Sequence, residues 1–178
     1  DSIIGSIIRV STSSEGVSAY KNCYDKPSIS SDGRIVAFYT WSSTLVECDT
    51  NDNNNIYLKD TMTGLTTIQS TDSDGDCVAE SYGSSSLPDI SSDGRYVVFE
   101  SSFTTLVEND TNGGTADIFL KDTQTDIIML VSTDSSGVQS TEPCEDPAIS
   151  GDGRYVVFRS SANDLAEGVT NEALDIFL

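Results

Sequence analysis

The stretch that decides the fold is written three times with small changes: PSISSDGRIVAFY from Pro27, PDISSDGRYVVFE from Pro88 and PAISGDGRYVVFR from Pro147. In each copy an Asp-Gly pair separates two apolar runs, and glycine accepts the positive φ that a tight hairpin turn demands. The second run is apolar at consecutive positions, which indicates a strand buried on both faces. Each copy therefore predicts a β-hairpin whose second strand lies inside a sheet.

Two further sets of phrases recur at the same spacing, which is about 60 residues and marks a repeated supersecondary unit. NIYLKD, DIFLKD and DIFL follow the hairpins, and IRVSTSSEG, IQSTDSDG and LVSTDSSG form the other set. Each complete repeat predicts four short antiparallel strands, here named a to d in chain order. This pattern is typical of a β-propeller blade, with a β-sandwich or β-solenoid as the alternative.

The repeat boundaries predict an all-β chain of three β-propeller blades. Residues 25–75 form blade 1, residues 86–137 form blade 2, and residues 146–178 form a blade 3 that lacks its own strand d. Residues 1–16 hold the matching surplus, a strand d over residues 3–12 with no strand a, b or c before it. We therefore expect the N-terminal strand to complete a last blade, with the blade of another copy favoured.

The surplus strand and the missing strand permit three interpretations. Closure within one chain needs a three-bladed ring, whereas known propellers have about four or more blades. A longer tandem polypeptide suits a sequence that does not begin with methionine. We favour strand addition between copies, which builds a six-bladed ring from two chains or a filament from many. The residues expected at this contact are Ile7, Ile8 and Val10 on the donated strand and Ile176, Phe177 and Leu178 on the receiving edge.

The order of these phrases resembles the TolB-like, WD-repeat-related propeller repeats of secreted bacterial proteins. The resemblance rests on P-x-I-S-x-D-G-R-x-V-x-F followed by SSTLVECDTNDNNNIYLKD or SSFTTLVENDTNGGTADIFLKD, and it covers nearly the whole chain. It implies a propeller, often six-bladed, that serves as a binding or scaffolding platform and carries no catalytic residues of its own. The chain departs from the family in its number of repeats, because a closed ring needs more than three.

Composition narrows the classes of function. The 178 residues include 29 Asp and Glu but only 9 Lys and Arg, for a formal charge of −20. Such a surface repels nucleic acid and anionic membranes and favours cations. No apolar run approaches the roughly 20 residues of a membrane helix, and no signal peptide is evident. We expect a secreted, extracellular protein with neither a membrane span nor a nucleic-acid partner.

Four cysteines and no histidine indicate disulfides rather than a zinc site. Cys23, Cys48, Cys77 and Cys144 lack C-x-x-C spacing, and their three possible pairings stay open. We favour Cys48 with Cys77 inside blade 1, and we hypothesise that Cys144 bonds to Cys23 of the next copy. The alternative is four buried or unpaired thiols.

Oxygen-bearing side chains in the loops are candidate ligands for Ca²⁺, which takes about six to eight oxygens at flexible geometry. They lie in the loops between strands b and c and in the turn TDSDGD, although no loop holds a full calcium-binding motif. The competing interpretation is a set of Asx turns that bond their own backbone. The candidate ligands are Asp49, Asn51, Asn53, Asp110, Asn112, Asp72, Asp74 and Asp76.

The remaining signals predict a structural rather than a catalytic protein. The absence of histidine excludes a Ser-His-Asp triad, and no carboxylate pair stands apart from the repeats. We expect a non-catalytic protein that joins copies of itself head to tail by strand complementation. The alternative is a propeller that binds carbohydrate or protein, with Ca²⁺ as a candidate stabilising ion; Trp41, Tyr20, Tyr24 and Tyr82 are its candidate aromatic contacts. Asn109 begins an Asn-Asp-Thr sequence and is a glycosylation candidate.

Overall fold

The computed structural model describes residues 5, 7–24, 26–78, 82–171 and 173–178. These residues form strands and loops and contain no helix. The described part of the chain therefore has no helix that is long and apolar enough to cross a membrane. The strands are β1 (Ser28–Ile29), β2 (Ile35–Thr40), β3 (Asn55–Asp60), β4 (Thr66–Ile68), β5 (Ser85–Ile90), β6 (Tyr96–Ser101), β7 (Asp117–Asp122), β8 (Ile128–Leu130), β9 (Cys144–Ile149), β10 (Val156–Ser160) and β11 (Asp175–Phe177).

The strands form three separate antiparallel sheets, one for each repeat of the sequence. Sheet 1 has the order β1-β2-β3-β4, sheet 2 has β5-β6-β7-β8, and sheet 3 has β11-β10-β9. In every sheet neighbours in sequence are neighbours in space, as short hairpin connections require. Within the described residues these are three small open sheets of the all-β class.

Sheets 1 and 2 have the same register between their central strands. Ile35 lies opposite Asp60 and Thr40 opposite Asn55 in sheet 1, and the matching pairs of sheet 2 run from Tyr96–Asp122 to Ser101–Asp117. The first strand is less regular, because the pairing of β5 with β6 and of β9 with β10 shifts part-way along each strand. A proline interrupts each of these first strands, and it has no N–H to donate to the ladder.

Apolar side chains fill the two junctions between neighbouring sheets. At the first junction Ala37, Ile56 and Leu58 of sheet 1 pack against residues of sheet 2 that include Phe99 and Phe119. The second junction is built in the same way from sheets 2 and 3; its buried residues are Val98, Ile118, Leu120, Cys144, Phe158, Ala162 and Leu165. Sheet 2 is buried on both faces because a sheet packs against each of them. The second face of sheet 1 instead buries Phe38 and Tyr57 against Leu45 of the following loop.

A line of backbone hydrogen bonds also joins the hairpin turns of successive sheets. The amide of Ser31 donates to the carbonyl of Ser92 over 2.8 Å, and the amide of Ser92 donates to Gly151 over 2.8 Å. Each junction therefore repeats both the apolar contact and the polar contact of the one before it. The chain advances from sheet to sheet by one repeated geometric step.

Phe99 tests how much the first junction contributes to stability. Its ring is fully buried and lies 6.0 Å from the ring of Phe119, measured between centroids. Phe99→Ala leaves a cavity between two sheets and is expected to lower the free energy of unfolding by about 3–5 kcal/mol. The measurement is urea unfolding followed by far-UV circular dichroism. Leu65→Ala, on an exposed turn, is the control, and equal losses in the two variants would contradict the packing described here.

Candidate functional site

The outer edge of β11 is the feature that distinguishes sheet 3 from the other two sheets. The third strands of sheets 1 and 2, β3 and β7, are covered on that edge by β4 and β8. Within the described residues, β11 pairs only with β10. Its backbone N–H and C=O groups on the outer edge therefore have no strand partner there, which is the arrangement that invites strand addition.

The apolar side chains of this third strand are also exposed. Ile176 is 74 % exposed and Leu178 is 82 % exposed, whereas Ile118 at the position of Ile176 is fully buried. Phe177 points the other way, because its ring stacks on Phe158 with centroids 5.8 Å apart. The residues predicted on the receiving edge thus divide into two that face solvent and one that packs inside sheet 3.

Residues 7–10 form no strand in the structure, although the sequence predicts one over residues 3–12. Residues 3, 4 and 6 of that prediction lie outside the described residues. Ile7 is 99 % exposed and Ile8 is 63 % exposed. The repeat places Ile7 at the position of Thr66 and Ile128, the first residues of β4 and β8. The segment therefore has the sequence of a fourth strand but lies off any sheet of its own chain.

A short hairpin follows each fourth-strand position, and it recurs three times. An isolated bridge closes each one, pairing Thr12 with Ser18, Thr71 with Cys77 and Thr133 with Gln139. We name these hairpins, residues 12–18, 71–77 and 133–139, the strap hairpins. In the first of them the Ser13 hydroxyl accepts the amides of Glu15 and Val17, each over 3.2 Å.

Lys59 fixes the first strap hairpin against sheet 1. Its ammonium donates to the carbonyls of Thr12 and Ser13, at 3.3 and 3.0 Å, and to Gly64 and Thr66 of its own sheet. Burial lowers the pKa of this lysine, the usual effect of removing an ammonium from water. Lys121 repeats the contact one sheet further on by donating to Thr71 Oγ1 over 2.9 Å. The first strap hairpin is thus held in place by its own chain.

A serine from each fourth-strand region bonds to the start of the third strand. The Ser70 hydroxyl donates to Asn55 over 2.8 Å, and the Ser132 hydroxyl donates to Asp117 over 2.7 Å. The same hydroxyls accept the amides of Ile56 and Ile118. The sequence predictions gave no role to these serines or to the two lysines, although the serines recur in the phrases STSS, STDS and STDS and the lysines recur in YLKD and FLKD.

The cysteines are divided between one bond and two free thiols. Cys48 and Cys77 form a disulfide with Cα atoms 5.8 Å apart, which is the pairing that the sequence favoured. Cys23 is exposed and unpaired, and Cys144 is fully buried at the second junction. A bond from Cys144 to Cys23 of another copy requires this junction to open, so the burial of Cys144 counts against that hypothesis.

The candidate calcium ligands use their oxygens in internal hydrogen bonds. Asp49 is buried and accepts from the hydroxyl of Tyr57 and from Asn55. Asn51 accepts from the amide of Asn53 and from Asn55. Over the described ranges, no three acidic or cysteine side chains converge as a metal site. In this structure the oxygens of the sheet 1 loop are therefore engaged by the protein itself, and calcium binding stays a prediction.

The other calcium candidates serve turns and inter-loop contacts. Asp72 accepts the amides of Asp74 and Asp76, and Asp134 makes the same two bonds in the next strap hairpin without the flanking carboxylates. Asp110 accepts from Gln139. Asn112 donates to Asp117 and to the carbonyl of Ser140. These contacts support the Asx-turn interpretation.

The candidate aromatic contacts and the glycosylation candidate lie at separate places. Lys21 places its ammonium over Trp41 and Tyr20, 4.4 and 5.2 Å from the two ring centroids, and so occupies a face of each ring. Tyr24 instead stacks on Tyr39. Tyr82 stands apart and is exposed. Asn109 is exposed in the loop between β6 and β7, and its glycosylation stays a prediction.

Comparison with solved structures returned β-propeller proteins. The chain is similar to TolB from Acinetobacter baumannii (18 % identity, TM-score 0.48, covering 89 % of this chain and 32 % of that one). It is similar to the β-propeller domain of the Trilobed protease from Pyrococcus furiosus (16 % identity, TM-score 0.47, covering 78 % of this chain and 35 % of that one). It is also similar to acylaminoacyl peptidase from Pyrococcus horikoshii (17 % identity, TM-score 0.46, covering 79 % of this chain and 17 % of that one). The chain spans about a third or less of the length of these proteins. No protein-family model and no curated protein sequence matches it.

Asp117 predicts how stability depends on pH. Burial raises the pKa of this carboxyl, although bonds from Ser132, Asn112 and Gln139 act against the rise. The folded protein therefore holds the proton more tightly than the unfolded chain does. The stability contributed by Asp117 is present at low pH and is lost as the pH rises from about 4 through the raised pKa.

Asp117→Asn removes this titration and places at this position the residue that sheet 1 has, Asn55. The free energy of unfolding of the variant is expected to fall less than that of the unaltered chain between about pH 4 and pH 7. Urea unfolding at a series of pH values measures the difference. Parallel pH profiles for the two proteins would contradict a buried, titrating Asp117.

The hydrogen bonds of the candidate calcium ligands predict that the fold is indifferent to this ion. Thermal unfolding with millimolar CaCl₂ and with excess chelator is expected to give the same midpoint, because ligand binding stabilises only a state that binds it. The same comparison with MgCl₂ controls for ionic strength. A rise in the midpoint with CaCl₂ alone would restore the calcium interpretation.

Proposed function

We propose that this chain is a non-catalytic, extracellular β-propeller protein that associates with itself by strand addition. Residues 7–10 of one copy lie along the outer edge of β11 and Leu178 in the next copy, where residues 8–10 pair with residues 176–178 and act as the fourth strand of sheet 3. The proposal rests on one observation. The outer edges of β3 and β7 pair with β4 and β8, while β11 has no such neighbour within the described residues. The three sheets are then propeller blades, and their repeated junctions support this assignment.

Exposed apolar surface on both sides supports the contact. Burying a side chain such as Ile7 or Ile176 contributes about 1.5–3 kcal/mol, and the backbone pairs add hydrogen bonds that an isolated edge lacks. Net charge opposes association, since each copy carries a formal charge of −20. Salt therefore strengthens the assembly by screening the repulsion between copies.

The two internal repeats define the register of the added strand. Ile68 lies opposite Tyr57 in sheet 1, and Leu130 lies opposite Phe119 in sheet 2. The equivalent pair is Arg9 of one copy opposite Phe177 of the next. The amides of Gln69 and Val131 donate to Ile56 and Ile118, each over 2.7 Å. Val10 is accordingly the donor to the carbonyl of Ile176.

Association of this kind is heterologous, because the donated strand and the receiving edge are different surfaces. Two copies close into a ring of six blades if the rotation between sheets permits it, and otherwise the contact continues into a filament. The disulfide between Cys48 and Cys77 supports an oxidising, extracellular setting.

Ile7 and Ile8 provide a matched pair of variants that tests the proposal. Thr66 and Ile128, at the position of Ile7, are buried, whereas Thr67 and Met129, at the position of Ile8, are exposed. Ile7→Asp is expected to weaken association at least about 100-fold, because it places an unpaired charge in a junction. Ile8→Asp introduces the same negative charge on the solvent-facing side of the strand and is expected to preserve association.

The measurement is light scattering after size exclusion, over a range of protein concentrations. The unaltered chain and Ile8→Asp are expected at twice the chain mass or a higher multiple, and Ile7→Asp at the mass of one chain. Both isoleucines are exposed in the single chain, so neither variant is expected to disturb its fold. The proposal would be overturned if the unaltered chain stays at the mass of one copy. It would also be overturned if the two variants have equal effects on association.

A further inference from the structure

The strap hairpins of sheets 1 and 2 each fasten the sheet that precedes them in the chain. We name the loops that receive them, residues 45–51, 106–112 and 165–171, the rim loops of sheets 1, 2 and 3. Strap hairpin 71–77 reaches the rim loop of sheet 1 through the disulfide between Cys77 and Cys48. A covalent bond thus closes the fourth-strand side of sheet 1.

In sheet 2 the strap hairpin is joined to the rim loop at the same place, but by hydrogen bonds instead of a disulfide. Gln139, at the position of Cys77, donates from its side-chain amide to Asp110 over 2.9 Å and to Asp117 over 2.8 Å. Its amide oxygen accepts from the backbone and hydroxyl of Thr111, at 2.7 and 3.1 Å. Strap hairpin 133–139 therefore fastens the rim loop of sheet 2 by hydrogen bonds alone.

Sheet 3 has a rim loop but, within the described residues, no strap hairpin against it. Gly168 stands at the position of Cys48 and is exposed. Asp175 stands at the position of Asn55 and Asp117, which accept bonds from Ser70 and Ser132. No side-chain hydrogen bond of Asp175 is found in the described part of the chain.

The first strap hairpin, residues 12–18, is in the complementary situation, because the described residues contain no preceding sheet for it to fasten. It is fastened to sheet 1 through Lys59, and the amide of Thr66 donates to its Ser14 hydroxyl over 3.1 Å. Within the described residues Ser18, at the position of Cys77 and Gln139, makes no side-chain hydrogen bond to a rim loop; its hydroxyl accepts from Arg9. Ser11 precedes the hairpin at the position of the fully buried Ser70 and Ser132.

From these positions we infer a second contact between copies, which rests on the proposed strand addition. Strap hairpin 12–18 of one copy seats on the rim loop of sheet 3 in the next copy. The Ser11 hydroxyl donates to the carboxylate of Asp175, and Ser18 lies beside Gly168. This contact selects the register, because strand pairing alone tolerates a slip of two residues that keeps the same faces buried.

The strap hairpin is preorganised for this role. Lys59 and the Ser13 hydroxyl hold it in the single chain, so that docking orders few additional residues. Residues 7–10 precede strap hairpin 12–18 in the chain, just as β4 and β8 precede strap hairpins 71–77 and 133–139. The partner is accordingly a second copy of this chain, presenting a complete repeat junction in trans.

An engineered disulfide tests the seating of the hairpin. Ser18→Cys with Gly168→Cys reproduces in trans the positions of Cys77 and Cys48, and Cys23→Ser in the background removes the exposed native thiol. Gly168 has a φ of +84°, which strains a cysteine there, but a Cβ would meet no atom within 4 Å. The Gly168→Cys single variant therefore controls for folding.

Mild oxidation of the double variant is expected to give covalent oligomers on a non-reducing gel, at least about tenfold faster than oxidation of a Val17→Cys, Gly168→Cys control. Adjacent residues of a paired strand face opposite sides, so Val17 is turned away from the rim loop. Oligomers by light scattering without preferential crosslinking at Ser18 would overturn the seated hairpin and leave strand addition standing. Chains that remain single under the same conditions would overturn both.

Ser11→Ala provides a second measurement that needs no cysteine. Loss of the hydrogen bond to Asp175 is expected to weaken association by about tenfold, equal to about 1.4 kcal/mol. Asp175→Ala in the same chain is expected to add little further loss, because both substitutions remove one contact. Fully additive losses in the double variant would contradict a bond between these two side chains.

Discussion

The constraint on which the structure depends is that the third strand of each sheet has two edges and both need hydrogen-bond partners. In sheets 1 and 2 the inner edge pairs with the second strand and the outer edge pairs with a short fourth strand. These fourth strands, β4 and β8, are only three residues long. They would be marginal alone, and the serine, lysine and strap-hairpin contacts around them hold them in register.

Those surrounding contacts tie each sheet to the next one. Strap hairpin 71–77 fastens sheet 1 through its disulfide and is itself held by the buried Lys121 of sheet 2. Strap hairpin 133–139 fastens sheet 2 through Gln139. The fourth strand therefore belongs to one sheet, while its position depends on two. In the proposed self-association, the edge without a fourth strand and the strand without a sheet are two halves of one junction. The proposed self-association joins them across two copies of the chain.

The repeated phrases predicted the strands well, because hairpin turns and buried apolar runs are local signals. Asp-Gly turns and the runs after them correspond to β2, β6 and β10 in the structure. The first strands begin earlier than predicted in sheets 2 and 3, since Pro88 and Pro147 lie within β5 and β9 rather than at their starts. A bulge accommodates each proline, and its register shift is set by the neighbouring strand.

The candidate sites were harder to predict, because side-chain chemistry does not state which partner is used. Asp49 and Asp72 have the oxygens of calcium ligands, but a buried tyrosine and backbone amides occupy them. The Cys48–Cys77 bond was the pairing that the sequence favoured, but its role in joining a rim loop to a strap hairpin 29 residues away became visible only in the fold. Lys59 had no predicted role, and the fold turns it toward the hairpin carbonyls.

The proposed self-association places residues 7–10 of one copy beside β11 of another. The most direct measurement is an isotope-filtered NMR experiment on a mixture of labelled and unlabelled copies. In non-hydrogen-bonded antiparallel pairs the Cα atoms approach to about 4.5 Å, which brings their α-protons into close contact. Strand addition in the proposed register gives such a contact between Arg9 of one copy and Phe177 of the other. An assembly in which this contact is absent between copies would contradict it.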